Sequence, residues 1–398
     1  MTHLYNYFYL NGNIKSIHKY SRRRKLKEIN SYYPNGILKK IESFERNKLH
    51  GCSYFYFPNG KCSAITPYSS GNKNGIFRYY NRKGYLEESR IYDYDRLESI
   101  SFYKNNSLQK RKTYYKNFQT KSKTFFKNDD KHGKEIKFYP DGSIYSRQNF
   151  YQNKEHGKYI SYYDNQSIKE ICFFFHGKKN GNFYLFDKKN NIKSFGFYQD
   201  DKKHGNLYHF DVNGIIRQIS SFHQDVKYKK ITYYQNGIIR KIRLYSPHQP
   251  NHFYSYDTEG NLIKFGNYKN NKIEGNIIYF GKNSVGKHVI LKIVDFFHGK
   301  RNGFSFTFSE NKIISKCFYI DDILEGYQTI NQKEYYFKDN FCIGEKGSGE
   351  CCICYEKSNY ITKCKHYICS SCIPNLKKIE CPMCRQEFMK ESELSLSI

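Results

Sequence analysis

Eight cysteine and histidine residues near the C-terminus stand at spacings that suit metal coordination. They run Cys351-x2-Cys354-x9-Cys364-x-His366-x2-Cys369-x2-Cys372-x8-Cys381-x2-Cys384, seven thiols and one imidazole in four close pairs. Zinc takes four tetrahedral nitrogen or sulfur ligands, and a Cys-x-x-Cys pair lets one tight turn present two thiolates to one ion. Four pairs therefore serve two zinc ions. Used in chain order, the pairs would crowd, because only two residues separate His366 from Cys369. An interleaved arrangement relieves this. One site then takes Cys351, Cys354, Cys369 and Cys372, and the other takes Cys364, His366, Cys381 and Cys384. With every position filled by protein and none left for water, such ions are structural. Cys352 stands between two ligands, and strand-like alternation points it away from the metal.

This order of ligands, C3HC4, resembles the RING finger family over residues 350–388, down to the Cys364-x-His366 pair and the Cys381-Pro382-x-Cys384 pair. The resemblance implies a small cross-braced domain with two structural Zn2+. It also implies a function, since RING fingers recruit ubiquitin-conjugating enzymes. The positions that make this contact in the family are occupied here by Ile353 before the second ligand, Leu376 on the short helix after the sixth, and Pro382 after the seventh. Arg385 directly follows the last ligand. In active members a cation there hydrogen-bonds both ubiquitin and its carrier, a task suited to a planar guanidinium fork. The family has no covalent catalytic residue. It holds the charged carrier so that the thioester is poised for attack by a substrate lysine, which is rate enhancement by orientation. The implied partners are a ubiquitin-conjugating enzyme, ubiquitin and a target protein, and a dimer through the zinc module is also compatible. The plainer alternative is a non-catalytic scaffold, with Ile353, Leu376 and Pro382 packing a module that has little core and Arg385 an ordinary surface charge.

Ahead of this module the sequence repeats. Phrases of the type Tyr-Tyr-x-Asn-Gly place Gly12, Gly36, Gly60 and Gly84 at steps of 24, and the same slot returns as Gly142, Gln166, Asn190, Gly214, Gly237 and Gly260. A second series follows a basic stretch: Gly133, Gly157, Gly181 and Gly205, also 24 apart, with Gly51 and Gly75 before them and the less regular Gly275, Gly303 and Gly326 after. Two turn signals per period predict two strands per period, with Asn-Gly supplying the positive φ of tight hairpins. Runs such as Lys158-Tyr159-Ile160-Ser161-Tyr162-Tyr163 are aromatic and β-branched, as strands are. One hairpin is too small to stand alone, so stacked hairpins are expected to bury their aromatic faces against each other.

The expected fold class is therefore mostly β: an elongated array of antiparallel β-hairpins followed by the small zinc domain. The array resembles the MORN family over roughly residues 5–330. MORN-type repeats are associated with membrane lipids, scaffolding and protein binding, and the fold alone selects none of these. Asn105-Asn106 and Asn117-Phe118 interrupt the period, predicting a kink or a missing strand. After Gly281 the spacing drifts, and Ile314 to Phe341 reads as a capping unit. The turn histidines His132, His156 and His204 have no second ligand type recurring beside them and read as turn residues.

The expected domain organisation is 1–343 for the array, 344–349 for a flexible Gly-rich linker (Gly344-Glu345-Lys346-Gly347-Ser348-Gly349), 350–388 for the RING finger and 389–398 for a disordered tail whose Leu-Ser-Ile end could enter a groove. Five of the 13 cysteines (Cys52, Cys62, Cys172, Cys317 and Cys342) lie scattered outside the zinc module, so no disulfide framework is expected and a reducing compartment is. Met1–Tyr20 lacks an apolar signal region and no run reaches the roughly eighteen apolar residues of a membrane span. Cytoplasm or nucleus follows. The combination of array, RING and AT-rich composition looks like that of large DNA virus proteins, which would place it in host cytoplasm. The net charge is +30, and from Glu350 onward seven Lys/Arg face six Asp/Glu, which leaves +29 on the first 349 residues. A basic body invites membrane lipid or nucleic acid, although AT-rich drift gives the same composition. No P-loop, Gly-x-Ser-x-Gly or paired-carboxylate setting is present, so no second catalytic centre is expected.

Overall fold

The computed structural model describes residues 3–247 and 251–390. Its described residues are almost wholly antiparallel β-strand and turn, with one 3-10 turn at Ile373–Asn375. The chain divides into two compact units, Met1–His204 and Gly205–Ile398.

In the first unit the strands pair in sequence order as a meander, from His3–Phe8 with Ile14–Tyr20 through Gly181–Phe186 with Ile192–Gln199, the two-residue strands such as Lys48–Leu49 pairing back with the strand before them. The glycine slot closes a loop in which the Tyr9 N–H donates to the Asn13 carbonyl at 2.8 Å and the Gly12 N–H to the Tyr9 carbonyl at 3.0 Å. This is a turn followed by one left-handed residue, the slot that glycine fills most cheaply. Where glycine is replaced, Phe118, Gln166 and Asn190 still take φ of 64°, 64° and 65°.

The 24-residue period has a hydrogen-bond cause. The Tyr33 hydroxyl donates to the Tyr56 carbonyl at 2.8 Å, Tyr139 to Tyr162 at 2.8 Å, and Tyr163 to Phe186 at 2.9 Å. The loop asparagines do the same: Asn59 Nδ2 reaches the Arg82 carbonyl and Asn165 Nδ2 the Lys188 carbonyl, at 3.0 and 2.9 Å. Each Tyr-x-Asn-Gly loop is thereby tied to the next loop on the same edge.

The second glycine series does not form turns. The turns are two-residue loops a few positions earlier, such as Asn128-Asp129 and Gln152-Asn153, with both φ positive. Gly133 (φ 82°) and Gly157 (φ 76°) sit at the bulge that follows, where the register shifts. The second turn residue secures the previous repeat: the Lys131 N–H donates to Asn153 Oδ1 at 2.8 Å, and the Lys179 N–H to Asp201 Oδ1 at 2.7 Å.

No strand is missing near the middle. Leu86–Asp93, Arg96–Lys104, Ser107–Tyr114 and Thr120–Lys127 pair in succession. Asn105-Asn106 is simply a further two-residue turn (φ 50° and 67°) where a glycine-slot loop was due. Consecutive turns of a meander lie on opposite edges, so from Phe118 onward the glycine-slot loops occupy the other edge. The buried face changes as well. Ser53, Thr66 and Phe77 are buried on one face. Ser89 pairs with Arg78, the neighbour of Phe77, and so lies on the opposite face together with buried Ser101, Thr124 and Glu135. The extra hairpin turns the repeat pattern over.

The expected aromatic core is only partly present. The most buried side chains of this unit are largely small hydroxyl residues, including Ser53 (2% exposed), Ser101 (3%) and Ser161 (4%). Aromatic rings flank them. A single-layer sheet has no facing layer to receive large side chains, so its most buried positions take small ones.

In the second unit the pairing continues from Gly205↔Phe222 through Lys333–Lys338 with Phe341–Glu350. Ile314 to Phe341 therefore does not cap the sheet. Phe341–Glu350 pairs onward with Lys357–Ile361, which pairs with Tyr367–Ile368, and Met389–Lys390 returns to pair with Phe341–Cys342. Residues 344–349, expected as a flexible linker, are thus the interior of a β-strand. Their glycines serve close packing: a Cβ on Gly344 would lie 2.6 Å from the Ile361 carbonyl oxygen, and one on Gly349 would lie 2.6 Å from the Tyr367 ring. The expected tail at 389–398 begins as strand at Met389–Lys390. Glu391 to Ile398, with the Leu-Ser-Ile end, lie outside the described residues.

Candidate metal centre

The C-terminal module is built from short knuckles that the strands hold together. At Cys351–Cys354 the Tyr355 N–H donates to the Cys351 carbonyl at 2.9 Å, and Tyr355 takes a left-handed φ of 63°. Cys381–Cys384 repeats the shape: the Arg385 N–H donates to the Cys381 carbonyl at 2.8 Å and Arg385 has φ 58°. Cys364 and His366 lie on the tight turn between Lys357–Ile361 and Tyr367–Ile368, where the Thr362 N–H donates to the His366 carbonyl at 2.8 Å. Cys369 and Cys372 lead into the 3-10 turn. Beneath them Ile343, Tyr360, Ile368, Ile373 and Phe388 form one buried cluster with Cys351, Cys369 and Cys381.

These knuckles bring the eight residues into two groups, Cys351, Cys354, Cys369 and Cys372 in one and Cys364, His366, Cys381 and Cys384 in the other. The grouping is the interleaved one expected from the spacing. In each group the ligand atoms lie within 4.8 Å of one another. Cys354 and Cys369 sulfurs are 3.5 Å apart, and His366 Nδ1 is 3.3 Å from Cys364 and 3.5 Å from Cys381. Bonds of ~2.3 Å in a tetrahedron put sulfurs ~3.8 Å apart, so each group is close to the size that one ion requires. All 13 cysteines are free thiols. Two groups that could each hold a metal ion are therefore present.

The thiols are prepared unequally. Burial pushes the Cys364 thiol up, but Thr362 and His366 hydrogen-bond its anion and hold it down to about 6. Cys369 is held down to about 6 in the same way, with Ser371 and Cys354 outweighing burial. Cys381 is pushed up to about 11, chiefly by burial. At least one thiol in each group is thus held toward the thiolate, the form that binds soft cations. Backbone N–H groups of Ile353 and Cys369 also donate to Cys351 Sγ, at 3.5 and 3.3 Å. Cys352 belongs to neither ligand group and packs on the module's core, and burial pushes its thiol up.

The other singled-out residues fall on the outside of the module. Ile353 is 41% exposed, and Pro382 and Arg385 are exposed as well. None of the three is buried against the repeat strands. Leu376 is half-buried at the end of the 3-10 turn and packs on the module's core.

Sequence reading missed one residue here. Lys338, at the end of Lys333–Lys338, donates from Nζ to the carbonyls of Ile373, Pro374 and Leu376 at 3.3, 2.9 and 2.8 Å. No local signal marks it, because its three acceptors lie more than thirty positions away. Tyr327, Tyr336 and Tyr360 form a second link between repeat strands and module, with ring centroids 5.0–5.6 Å apart.

No protein-family profile and no curated protein matches the chain. Among solved structures, similarity extends to a TcdB2-TccC3 crystal structure, at 10% identity over 87% of this chain and 22% of that one, with a TM-score of 0.16. A Photorhabdus luminescens Tc holotoxin pore matches at 12% identity over 88% of this chain and 25% of that one, with a TM-score of 0.14. A porin-like protein from Bacteroides uniformis matches at 9% identity over 69% and 88%, with a TM-score of 0.12. This chain thus corresponds to less than a third of either of the first two chains. Likeness at these scores carries no functional argument.

Proposed function

We propose that this chain is a RING-type ubiquitin-protein ligase whose module is held by two structural zinc ions and whose repeat strands bind the target protein. The interleaved grouping of the eight ligands supports this reading, together with Ile353, Pro382 and Arg385 standing exposed around it. A soft set of thiolates and imidazole with no carboxylate suits zinc, and a site closed by four protein ligands suits a structural ion. When bound, zinc would fix the knuckles and supply no chemistry to a substrate. The chain's own residues would do the work. Ile353, Leu376 and Pro382 would form a shallow apolar seat for the carrier enzyme. Arg385 would donate to carbonyls of carrier and ubiquitin and hold the thioester in one orientation. Free thiols throughout the chain agree with a reducing compartment such as the cytoplasm.

The test is autoubiquitination with a panel of carrier enzymes, comparing the intact chain with Ile353→Ala and Arg385→Ala. Intact-protein mass spectrometry under native conditions counts the metal ions in parallel. The expected result is conjugates that fall at least about tenfold in both variants, each retaining two zinc ions, as for loss of an orienting contact. Two retained ions with no conjugates from any carrier would overturn the ligase reading and leave a scaffold.

A further inference from the structure

Over the strands from Thr120 to Gln199, one face is cationic and aromatic with no acid in its interior, and this follows from strand register. Cross-strand partners in an antiparallel sheet share a face. Lys123 pairs with Ile136, Ile136 with Arg147, Arg147 with Ile160, Ile160 with Ile171, and Ile171 with Tyr184. Strand alternation puts Lys134 and Lys158 on the same side, and Lys121 and Lys169, at bulges, are exposed beside it. The opposite side holds the buried residues of this region, including Glu135, Gln148, Ser161 and Cys172.

The carboxylates are sorted between the two faces. Asp130 and Glu155 lie at strand ends beside the two-residue turns; the other strand acids from Thr120 to Gln199, Glu135 and Glu170, both belong to the buried side. There they are neutralised, Glu135 by Lys131 and Lys137, and Glu170 by Lys179. The remaining acids sit in the turns at both edges, as at Asp129, Asp141, Asp164 and Asp187. Compositional drift accounts for many lysines. It does not account for acids being confined to one face and the edges.

The same exposed face carries aromatic rings among its charges. Phe125, Phe173 and Phe197 are each more than a third exposed. Lys158 pairs with Phe173, Lys134 with Asn149, and Asn182 with Phe197, so rings alternate with cations and amides across successive strands.

We propose that this face is a platform for single-stranded nucleic acid. Cations along the strip would track the phosphates while exposed rings take unpaired bases, the combination by which sequence-tolerant single-strand binders work. A planar anionic membrane is the poorer fit, because it would meet the carboxylates at both edges, whereas one strand can run between them. The inference does not depend on the ligase reading.

The experiment is fluorescence anisotropy of the intact chain with a labelled 20-nucleotide single-stranded oligonucleotide, titrated over a series of salt concentrations. The face variant is Lys134→Gln/Arg147→Gln/Lys158→Gln. The charge-matched control is Lys116→Gln/Lys188→Gln/Lys189→Gln, at turns. A third variant, Phe125→Leu/Phe173→Leu/Phe197→Leu, keeps the charge and removes the rings, and circular dichroism checks that all three fold. Each lost phosphate contact flattens the log–log salt slope by about 0.7, so the face variant should lose about 2 units of slope while the control keeps its slope. The ring variant should bind the oligonucleotide at least about tenfold more weakly. It should bind heparin, which has no bases, as the intact chain does. Equal losses in face variant and control would overturn the proposal, because charge alone would then suffice. So would an unaffected ring variant, or binding to anionic-lipid vesicles with none to the oligonucleotide.

Discussion

Replacing Lys338 with methionine tests how the metal module is held. The ammonium donates to three carbonyls of the segment that carries Leu376, at 3.3, 2.9 and 2.8 Å. Methionine keeps the stem and removes the donors. A hydrogen bond to a charged group contributes about 1.5–3 kcal/mol net. The Pro374 carbonyl is solvent-exposed and water replaces the donor there, so the two half-buried contacts carry most of the loss. The total should stay near about 1.5–3 kcal/mol, since water partly rescues each carbonyl. For a unit of this size, 1 kcal/mol moves the unfolding midpoint by about 2–4 °C, so Lys338→Met should lower it by roughly 3–12 °C. The assays are thermal unfolding of the metal-loaded chain and the rate of metal release to a chromophoric chelator. Release should quicken, because the 3-10 turn directly follows the ligand Cys372. Lys338→Arg should fall between the two, because a planar fork cannot converge on three carbonyls as a rotating ammonium does. An unchanged midpoint together with an unchanged release rate for Lys338→Met would refute the reasoning and mean that water serves the three carbonyls equally well.

Other consequences follow from single contacts. Gly344→Ala should destabilise the second unit by about 1–3 kcal/mol, because its Cβ meets the Ile361 backbone at 2.6 Å and backbone cannot step aside cheaply; urea unfolding measures this, and a neutral result would mean that the strand pair is loose. Tyr139→Phe removes the hydroxyl that donates to the Tyr162 carbonyl at 2.8 Å and should cost about 0.5–1.5 kcal/mol in the same assay. Burial pushes the Glu135 carboxyl up, but the hydrogen bond and charge of Lys131 and Lys137 outweigh it and hold the group below its ordinary 4.5. A depressed folded-state value stabilises fully above the unfolded value and is lost as pH falls through the folded one. Stability measured from about pH 5 down to about pH 3 should therefore fall less steeply in Glu135→Gln than in the intact chain.

Much of the candidate metal centre was legible because it is written in local spacing. Cys-x-x-Cys and Cys-x-His each form one knuckle, and only interleaving separates His366 from Cys369 without crowding. The repeat was legible because its loops carry their own signal, a left-handed slot every 24 residues. Composition misled at residues 344–349. Three glycines read as flexibility, yet each is small because Ile361 or Tyr367 packs against the strand. The second glycine series misled in a similar way, since positive φ serves a bulge as well as a turn and the sequence signal is the same. Aromatic richness suggested a ring-packed core, but the buried centre of the first unit is mostly serine and threonine.

The sequence by itself determined the hairpin period, the β class and the partition of eight ligands into two groups. All of these depend on residues close enough in the chain for bond geometry to decide. The tertiary structure alone decided which face and which edge each residue occupies. Facing depends on the parity of every residue between two strands, so one bulge or one added turn reverses it, as at Asn105-Asn106. For the same reason only the paired strands show that Glu135 and Glu170 are held off one face, and only the folded chain brings Lys338 to the carbonyls it caps.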